Sequence, residues 1–124
     1  MTKKSKHDVK RGEIRKVNKQ LTSLLNPFGV TTKKMIVFGS RTKSTGHHDS
    51  DLDIVIIPTK RTWKTPQEYT ALSKAINQAS EKNLRFRGNK IDLQLVPDFD
   101  VNETGNSFFE IEKGKIKRKR QPYY

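Results

Sequence analysis

The chain has 124 residues and a formal net charge of +13, and it contains no cysteine. This length suits one domain with a single small core, and the lack of cysteine excludes disulfides and thiolate metal sites. Hydrophobic residues make up only 31% of the chain, but they fall in patterned runs. We therefore expect one domain over residues 1–124, with flexible basic tails at 1–8 and 118–124.

Basic side chains are concentrated at the two ends of the chain, in residues 1–30 and 101–124. Such ends favour phosphate-rich partners, nucleic acid or another polyanion, although they could also serve only to keep the protein in solution. No apolar run approaches the roughly 20 residues that span a bilayer. The N-terminal segment has no apolar core of a secretory signal. We expect a cytoplasmic protein without a membrane partner.

The first half of the chain predicts one helix and two strands. Apolar residues recur every three or four positions, which is typical of an amphipathic helix; they are Val9, Ile14, Val17, Leu21, Leu24 and Leu25. The pair Asn26-Pro27 ends this helix. The run KMIVFG predicts a buried strand that stops at Gly39, and LDIVII predicts a second strand that stops at Pro58.

The second half begins with a helix and a strand and ends less clearly. In TPQE, Thr65 is a helix N-cap, Pro66 the first helical residue and Glu68 the partner in a capping box. KIDLQLVP alternates and predicts a third strand. NSFFEIEKG predicts a short helix closed by Gly114, and KIKRKR predicts either an edge strand or a disordered tail. The order α-β-β-α-β-α, with a possible last strand, indicates an α/β (α+β) domain: a small mixed β-sheet flanked by helices.

Three aspartates form the most informative pattern in the sequence. Asp51 and Asp53 are two apart at the start of a strand, so their side chains point to one face, and Asp92 lies in the third strand between apolar neighbours. If these strands are adjacent, three carboxylates converge and require cations to offset their repulsion. Hard oxygen ligands suit Mg²⁺ or Mn²⁺, and two such ions can support an in-line displacement at phosphorus.

The loop before these aspartates carries complementary chemistry. Gly39 permits a sharp turn and a close approach of the backbone to a ligand. Ser40 offers a hydroxyl and an N–H group, and Arg41 and Lys43 add positive charge. A nucleoside triphosphate with its metal ions fits the gap between such a loop and the carboxylates. The alternative interpretation is a plain turn followed by a solvated or calcium-like acidic loop, since Gly-Ser and Asp-x-Asp are each weak signals alone.

The stretch GSRTKSTGHHDSDLD resembles the signature of the DNA polymerase beta-like nucleotidyltransferase superfamily, and its spacing is most similar to the minimal nucleotidyltransferases, which are often partners of HEPN toxins. FFEIEKGKI resembles the helix, turn and strand that close those domains. The resemblance implies a nucleotidyltransferase fold and transfer of a nucleoside monophosphate. It implies that Asp51 and Asp53 hold both metals and that Asp92 holds the catalytic one and helps to activate the attacking hydroxyl. The expected nucleotide-binding residues are Gly39, Ser40, Arg41, Lys43 and Ser50.

Several other residues leave alternatives open. His47 and His48 could contact phosphate or metal, but solvent-exposed loop positions are the more common use of such residues. Trp63 could stack a base beside Lys60, Arg61 and Lys64, although packing at the start of the next helix is favoured. Phe108 and Phe109 cannot both face the core from one short helix, so one of them could face a partner.

Three functions remain open at this point. The first is a metal-dependent enzyme that transfers a nucleoside monophosphate to an acceptor hydroxyl. The second is a module that binds nucleotide or nucleic acid without catalysis, and the third is an antitoxin-type partner of a HEPN toxin. The complete aspartate trio favours the enzyme, because clustered carboxylates do not help a protein to bind polyanions.

Overall fold

The computed structural model describes residues 8–39, 50–97 and 107–120. These residues form two α-helices and five strands, with a short 3-10 helix, Asn26–Phe28, after the first helix. The bounds in chain order are α1 Arg11–Leu25, β1 Thr32–Phe38, β2 Leu52–Pro58, α2 Pro66–Asn83, β3 Ile91–Leu95, β4 Ser107–Glu112 and β5 Lys115–Arg120.

The five strands form one mixed sheet in the order β3-β2-β1-β4-β5. Strands β2 and β3 are parallel, and every other neighbouring pair is antiparallel. Helix α2 makes the crossover that two parallel strands require. The mixed sheet with helices that the sequence predicts is therefore confirmed.

The main core lies between the sheet and the helices. Alternate residues of each strand contribute to it, for example Met35 and Val37 from β1 and Leu52 and Ile54 from β2. The residues between them point to the other face, where Ile36, Val55 and Phe108 form a second buried cluster. Each strand therefore has one helix-facing side and one opposite side, and this alternation assigns every strand side chain to a face.

Helix α2 begins as the sequence predicts. The Glu68 backbone N–H donates to Thr65 Oγ1 at 3.1 Å, and the Thr65 N–H donates to Glu68 Oε2 at 3.1 Å. These reciprocal bonds form a capping box, and Pro66 occupies the first helical position, where no N–H partner is needed. The prediction succeeds because all of its determinants lie within four consecutive residues.

The segment 107–114 is not a helix, which corrects the sequence-based prediction and the resemblance of this segment to a helix, turn and strand. Residues Ser107–Glu112 form strand β4, which pairs with β5. Lys113 and Gly114 both have positive φ, 52° and 77°, as a two-residue type I′ hairpin turn requires. Gly114 thus turns a hairpin and does not cap a helix.

This hairpin also determines where Phe108 and Phe109 point and which structure KIKRKR adopts. As neighbours in a strand, Phe108 and Phe109 point to opposite faces, and both are buried, so neither needs a partner to cover it. Of the two alternatives for KIKRKR, the edge strand is correct. The expected tail at 118–124 therefore begins inside β5, and its residues 121–124 lie outside the described part of the chain.

Candidate active site

Two of the three predicted aspartates lie side by side on the sheet. Asp53 of β2 and Asp92 of β3 are direct partners in the parallel register, which places their backbones about 4.8 Å apart. The residues flanking each one, such as Leu52 and Leu93, belong to the helix-facing core. Both carboxylates therefore lie on the opposite face of the sheet, at the end where β2 and β3 begin.

Asp51 is placed differently from the other two. It precedes β2, which starts at Leu52, and it is exposed. Among the residues that the structure describes, no three His, Cys, Asp or Glu side chains are close enough together to hold one metal ion. The structure therefore places two of the three carboxylates, those of Asp53 and Asp92, side by side, and the role of Asp51 as a metal ligand stays a prediction.

Gly39 lies directly against the Asp53 carboxylate. It follows Phe38, the β1 residue paired with Asp53, and its φ is +89°, which side chains rarely tolerate. A Cβ atom at this position would lie 2.1 Å from Asp53 Oδ2. Asp53 therefore leaves no room for a side chain at this position, and the approach of the Gly39 backbone to a nucleotide stays a prediction.

Asn77, which the sequence analysis missed, contacts the second aspartate. Its Nδ2 lies 3.4 Å from Asp92 Oδ1 and donates to the Leu93 carbonyl at 3.0 Å. Ser80 Oγ donates to the Ile91 carbonyl at 3.0 Å, and the Tyr69 hydroxyl donates to the Leu95 carbonyl. One sequence signal could have indicated these contacts. Polar side chains lie on the same side of α2 as the apolar stripe that faces the core.

The three hydrogen bonds to backbone carbonyls connect α2 to β3, the edge strand that carries Asp92. Leu52 N–H donates to the carbonyl of Lys90, the residue before Ile91. Since carbonyl directions alternate along a strand, the carbonyls of Ile91, Leu93 and Leu95 point away from β2. An edge strand leaves such carbonyls without ladder partners. Here side chains of α2 supply the donors, so the helix fixes the position of β3 and therefore of the backbone of Asp92.

A comparison with protein families matches residues 13–122 to the nucleotidyltransferase domain. The chain belongs to that family. No curated protein and no solved structure gives a significant match. The matched range contains the aspartate pair, Gly39 and all five strands, and it agrees with the resemblance to minimal nucleotidyltransferases of the polymerase beta-like superfamily.

The remaining predicted nucleotide-binding residues of this nucleotidyltransferase are only partly described. Ser50 is half-buried just before Asp51. Ser40, Arg41 and Lys43 lie outside the described residues, as do the two loop histidines, His47 and His48. None of the described helices is long and apolar enough to cross a membrane.

Trp63 packs as the sequence favours. Its ring centroid lies 5.0 Å from that of Tyr69, at an interplanar angle of 53°, and both side chains contact the main core. Trp63 is nevertheless only half-buried. The part of its indole that does not face the core lines a cleft at the end of the sheet.

Proposed function

We propose that this nucleotidyltransferase transfers a nucleoside monophosphate from a nucleoside triphosphate to an acceptor hydroxyl, with Mg²⁺ or Mn²⁺ bound by its aspartates. The observation that carries the proposal is the register of Asp53 with Asp92. Two carboxylates held on neighbouring strands repel each other and repel phosphates. A site that only binds polyanions has no use for such a pair, whereas a site for a divalent cation with phosphate needs it.

The side chains fit such a cation. Carboxylate oxygens are the donors that Mg²⁺ and Mn²⁺ prefer, and Asp53 and Asp92 would hold the ion, with Asp51 as a further ligand from the start of β2. A bound divalent cation would offset the negative charge that the attacking oxygen and the phosphates bring together.

The transfer step is a displacement at the α-phosphorus. The acceptor oxygen forms a bond to this atom, the bond from the α-phosphorus to the oxygen bridging to the β-phosphate breaks, and pyrophosphate leaves. Asp92 accepts the hydroxyl proton, and Asn77 holds its carboxylate toward the sheet edge. Gly39, Ser40, Arg41, Lys43 and Ser50 bind the triphosphate from the loop side.

The substitution Asp53→Asn tests this proposal. It keeps the shape of the side chain but removes a charged metal ligand, so transfer from an α-labelled nucleoside triphosphate should fall at least about a hundredfold. Stability in metal-free buffer should stay equal or rise, because the substitution removes the repulsion from Asp92. The matched control is Glu81→Gln, which neutralises an exposed carboxylate on α2 and should change neither quantity.

A second measurement tests the metal dependence. Calorimetry should show that the wild-type protein binds the triphosphate much more weakly without Mg²⁺ than with it, because the carboxylates repel the phosphates when no divalent cation is bound. An Asp53→Asn protein that melts well below the wild type and still transfers nucleotide would contradict the proposal. So would equal triphosphate affinity with and without the metal.

A further inference from the structure

A cleft of about 440 Å³ lies at the far end of the parallel strands from the aspartate pair. Strand β2 ends at Pro58, about 16 Å along the strand from Asp53, and β3 ends just before Val96 and Pro97. The described residues that line the cleft follow these strand ends and include the start of α2; they are Arg61, Trp63, Lys64, Thr65, Pro66, Tyr69, Val96 and Pro97.

One side of the cleft is a fixed aromatic pair. The Tyr69 hydroxyl donates to the Leu95 carbonyl, which fixes the position of this ring. Trp63 packs against the Tyr69 ring at a centroid distance of 5.0 Å. Both rings also contact the main core. A half-buried indole held in this way presents a flat apolar surface to the cleft and loses little side-chain entropy when a ligand stacks on it.

The rim of the cleft is positively charged. Arg61 and Lys64 line it and are exposed, and Lys60 adjoins them in the sequence. None of the described lining residues carries a carboxylate. Glu68, next to Tyr69 in the sequence, accepts hydrogen bonds from the backbone N–H groups of Lys64 and Thr65, so it serves the helix start. Asp98, which follows Pro97, lies outside the described residues.

We propose that this cleft binds single-stranded nucleic acid, with an unpaired base against Trp63 and the adjoining phosphates at Arg61 and Lys64. An aromatic face beside cationic side chains is the combination by which proteins hold single strands without reading their sequence. A duplex does not satisfy both parts, because its bases are stacked inside the helix. The site is separate from the aspartates and needs no divalent cation.

The chain supplies its own probe for this site, because Trp63 is its only tryptophan. Short single-stranded RNA, titrated in buffer with EDTA, should quench the Trp63 emission to saturation. The double variant Arg61→Ala/Lys64→Ala should bind more weakly, and the slope of log K against log salt should fall by about 0.7 for each lost phosphate contact. Trp63→Phe, followed by the anisotropy of a labelled strand, should weaken binding about fivefold or more through lost stacking.

The matched control is Lys115→Ala/Lys117→Ala, which removes the same charge from exposed positions on β5, at the opposite edge of the sheet from β3. It should leave the saturating quench in place and the affinity nearly unchanged. Asp53→Asn should also bind the strand normally, so a failure of the proposed transfer chemistry and a failure of this site give different results.

Three outcomes would overturn the proposal. If Arg61→Ala/Lys64→Ala and the control variant bound the single strand with equal affinity, binding would depend on overall charge alone. Equal quenching by an acidic peptide or by duplex RNA would show that the cleft does not select an unpaired base. Equal affinity for a strand without bases would show that Trp63 takes no part.

Discussion

At the scale of single residues, Gly39 shows what a sequence reveals and what it does not. The sequence identifies it as a glycine that lets the backbone approach a ligand, and it identifies Asp53 as a candidate metal ligand. It does not show that the two are in contact. That contact depends on the antiparallel register that pairs Phe38 with Asp53, and register is set by long-range packing.

Gly39→Ala should impair the site more than the fold. The added methyl group would lie 2.1 Å from Asp53 Oδ2 and would displace this carboxylate, so nucleotide transfer should fall at least about tenfold. The positive φ should lower the free energy of unfolding by about 1 kcal/mol or somewhat more. Transfer assays and urea melts measure the two effects.

Gly29→Ala is the control for this substitution. Gly29 has a similar φ of +72°, but a Cβ atom there meets nothing within 4 Å. It should therefore reproduce the backbone strain and leave transfer unchanged in the folded protein. If the two variants retained the same activity, Gly39 would be needed only for the turn and not for the position of Asp53.

At the scale of elements, structure that depends on neighbouring residues can be predicted from the sequence, whereas the pairing of strands cannot. The start of α2 is encoded in Thr65-Pro66-Gln67-Glu68 and was predicted correctly. Strand β4 was predicted as a helix because six residues cannot distinguish a period of 2 from one of 3.6. Its identity comes from pairing with β1 and β5 on both sides, which is information that lies elsewhere in the chain.

The contact between α2 and β3 is the element-scale feature that most affects the site. Tyr69, Asn77 and Ser80 are spread along the helix, and each donates to a carbonyl on the outer edge of β3. The sequence places Asp92 in a strand and leaves open whether this strand adjoins β2, and the structure shows that it does. The sequence analysis did not anticipate that polar groups of a helix would hold that strand from its other side.

Ser80→Ala should lower the free energy of unfolding by about 1–2 kcal/mol. The substitution leaves the Ile91 carbonyl without its donor in a fully buried place, which costs about 1–3 kcal/mol, and the higher helix propensity of alanine offsets a few tenths. Thr70→Ala is the control, since the Thr70 hydroxyl donates to a carbonyl of its own helix at an exposed position. Equal melts for the two variants would show that the bond from Ser80 does not stabilise β3.

At the scale of the whole molecule, the strong positive charge makes the few acidic contacts important. Arg87 Nε and Nη2 donate to the two carboxylate oxygens of Glu13, each at 2.8 Å, and Nη2 also donates to the Asp8 carbonyl at 3.0 Å. Arg87 has φ of 50° in a tight turn closed by Phe86 and Asn89. This ion pair connects α1 to the turn before β3. The two residues are 74 positions apart, so no local sequence signal could have predicted the contact.

Glu13→Gln should therefore destabilise the protein in a pH-dependent way. Partial burial raises the pKa of Glu13, but the hydrogen bonds and charge of Arg87, with the Lys10 N–H, outweigh this and lower the pKa below 4.5. A lowered pKa in the folded state gives stability that is present above the unfolded pKa and is lost as the pH falls through the folded one. At neutral pH the variant should be less stable by about 1 kcal/mol or less, and urea melts from neutral pH to about 3 should show this difference shrinking below 4.5. Glu81→Gln, which removes an exposed carboxylate, should stay close to the wild type throughout. A deficit in Glu13→Gln that stays constant down to the lowest pH would show that the contact with Arg87 does not depend on the carboxylate charge.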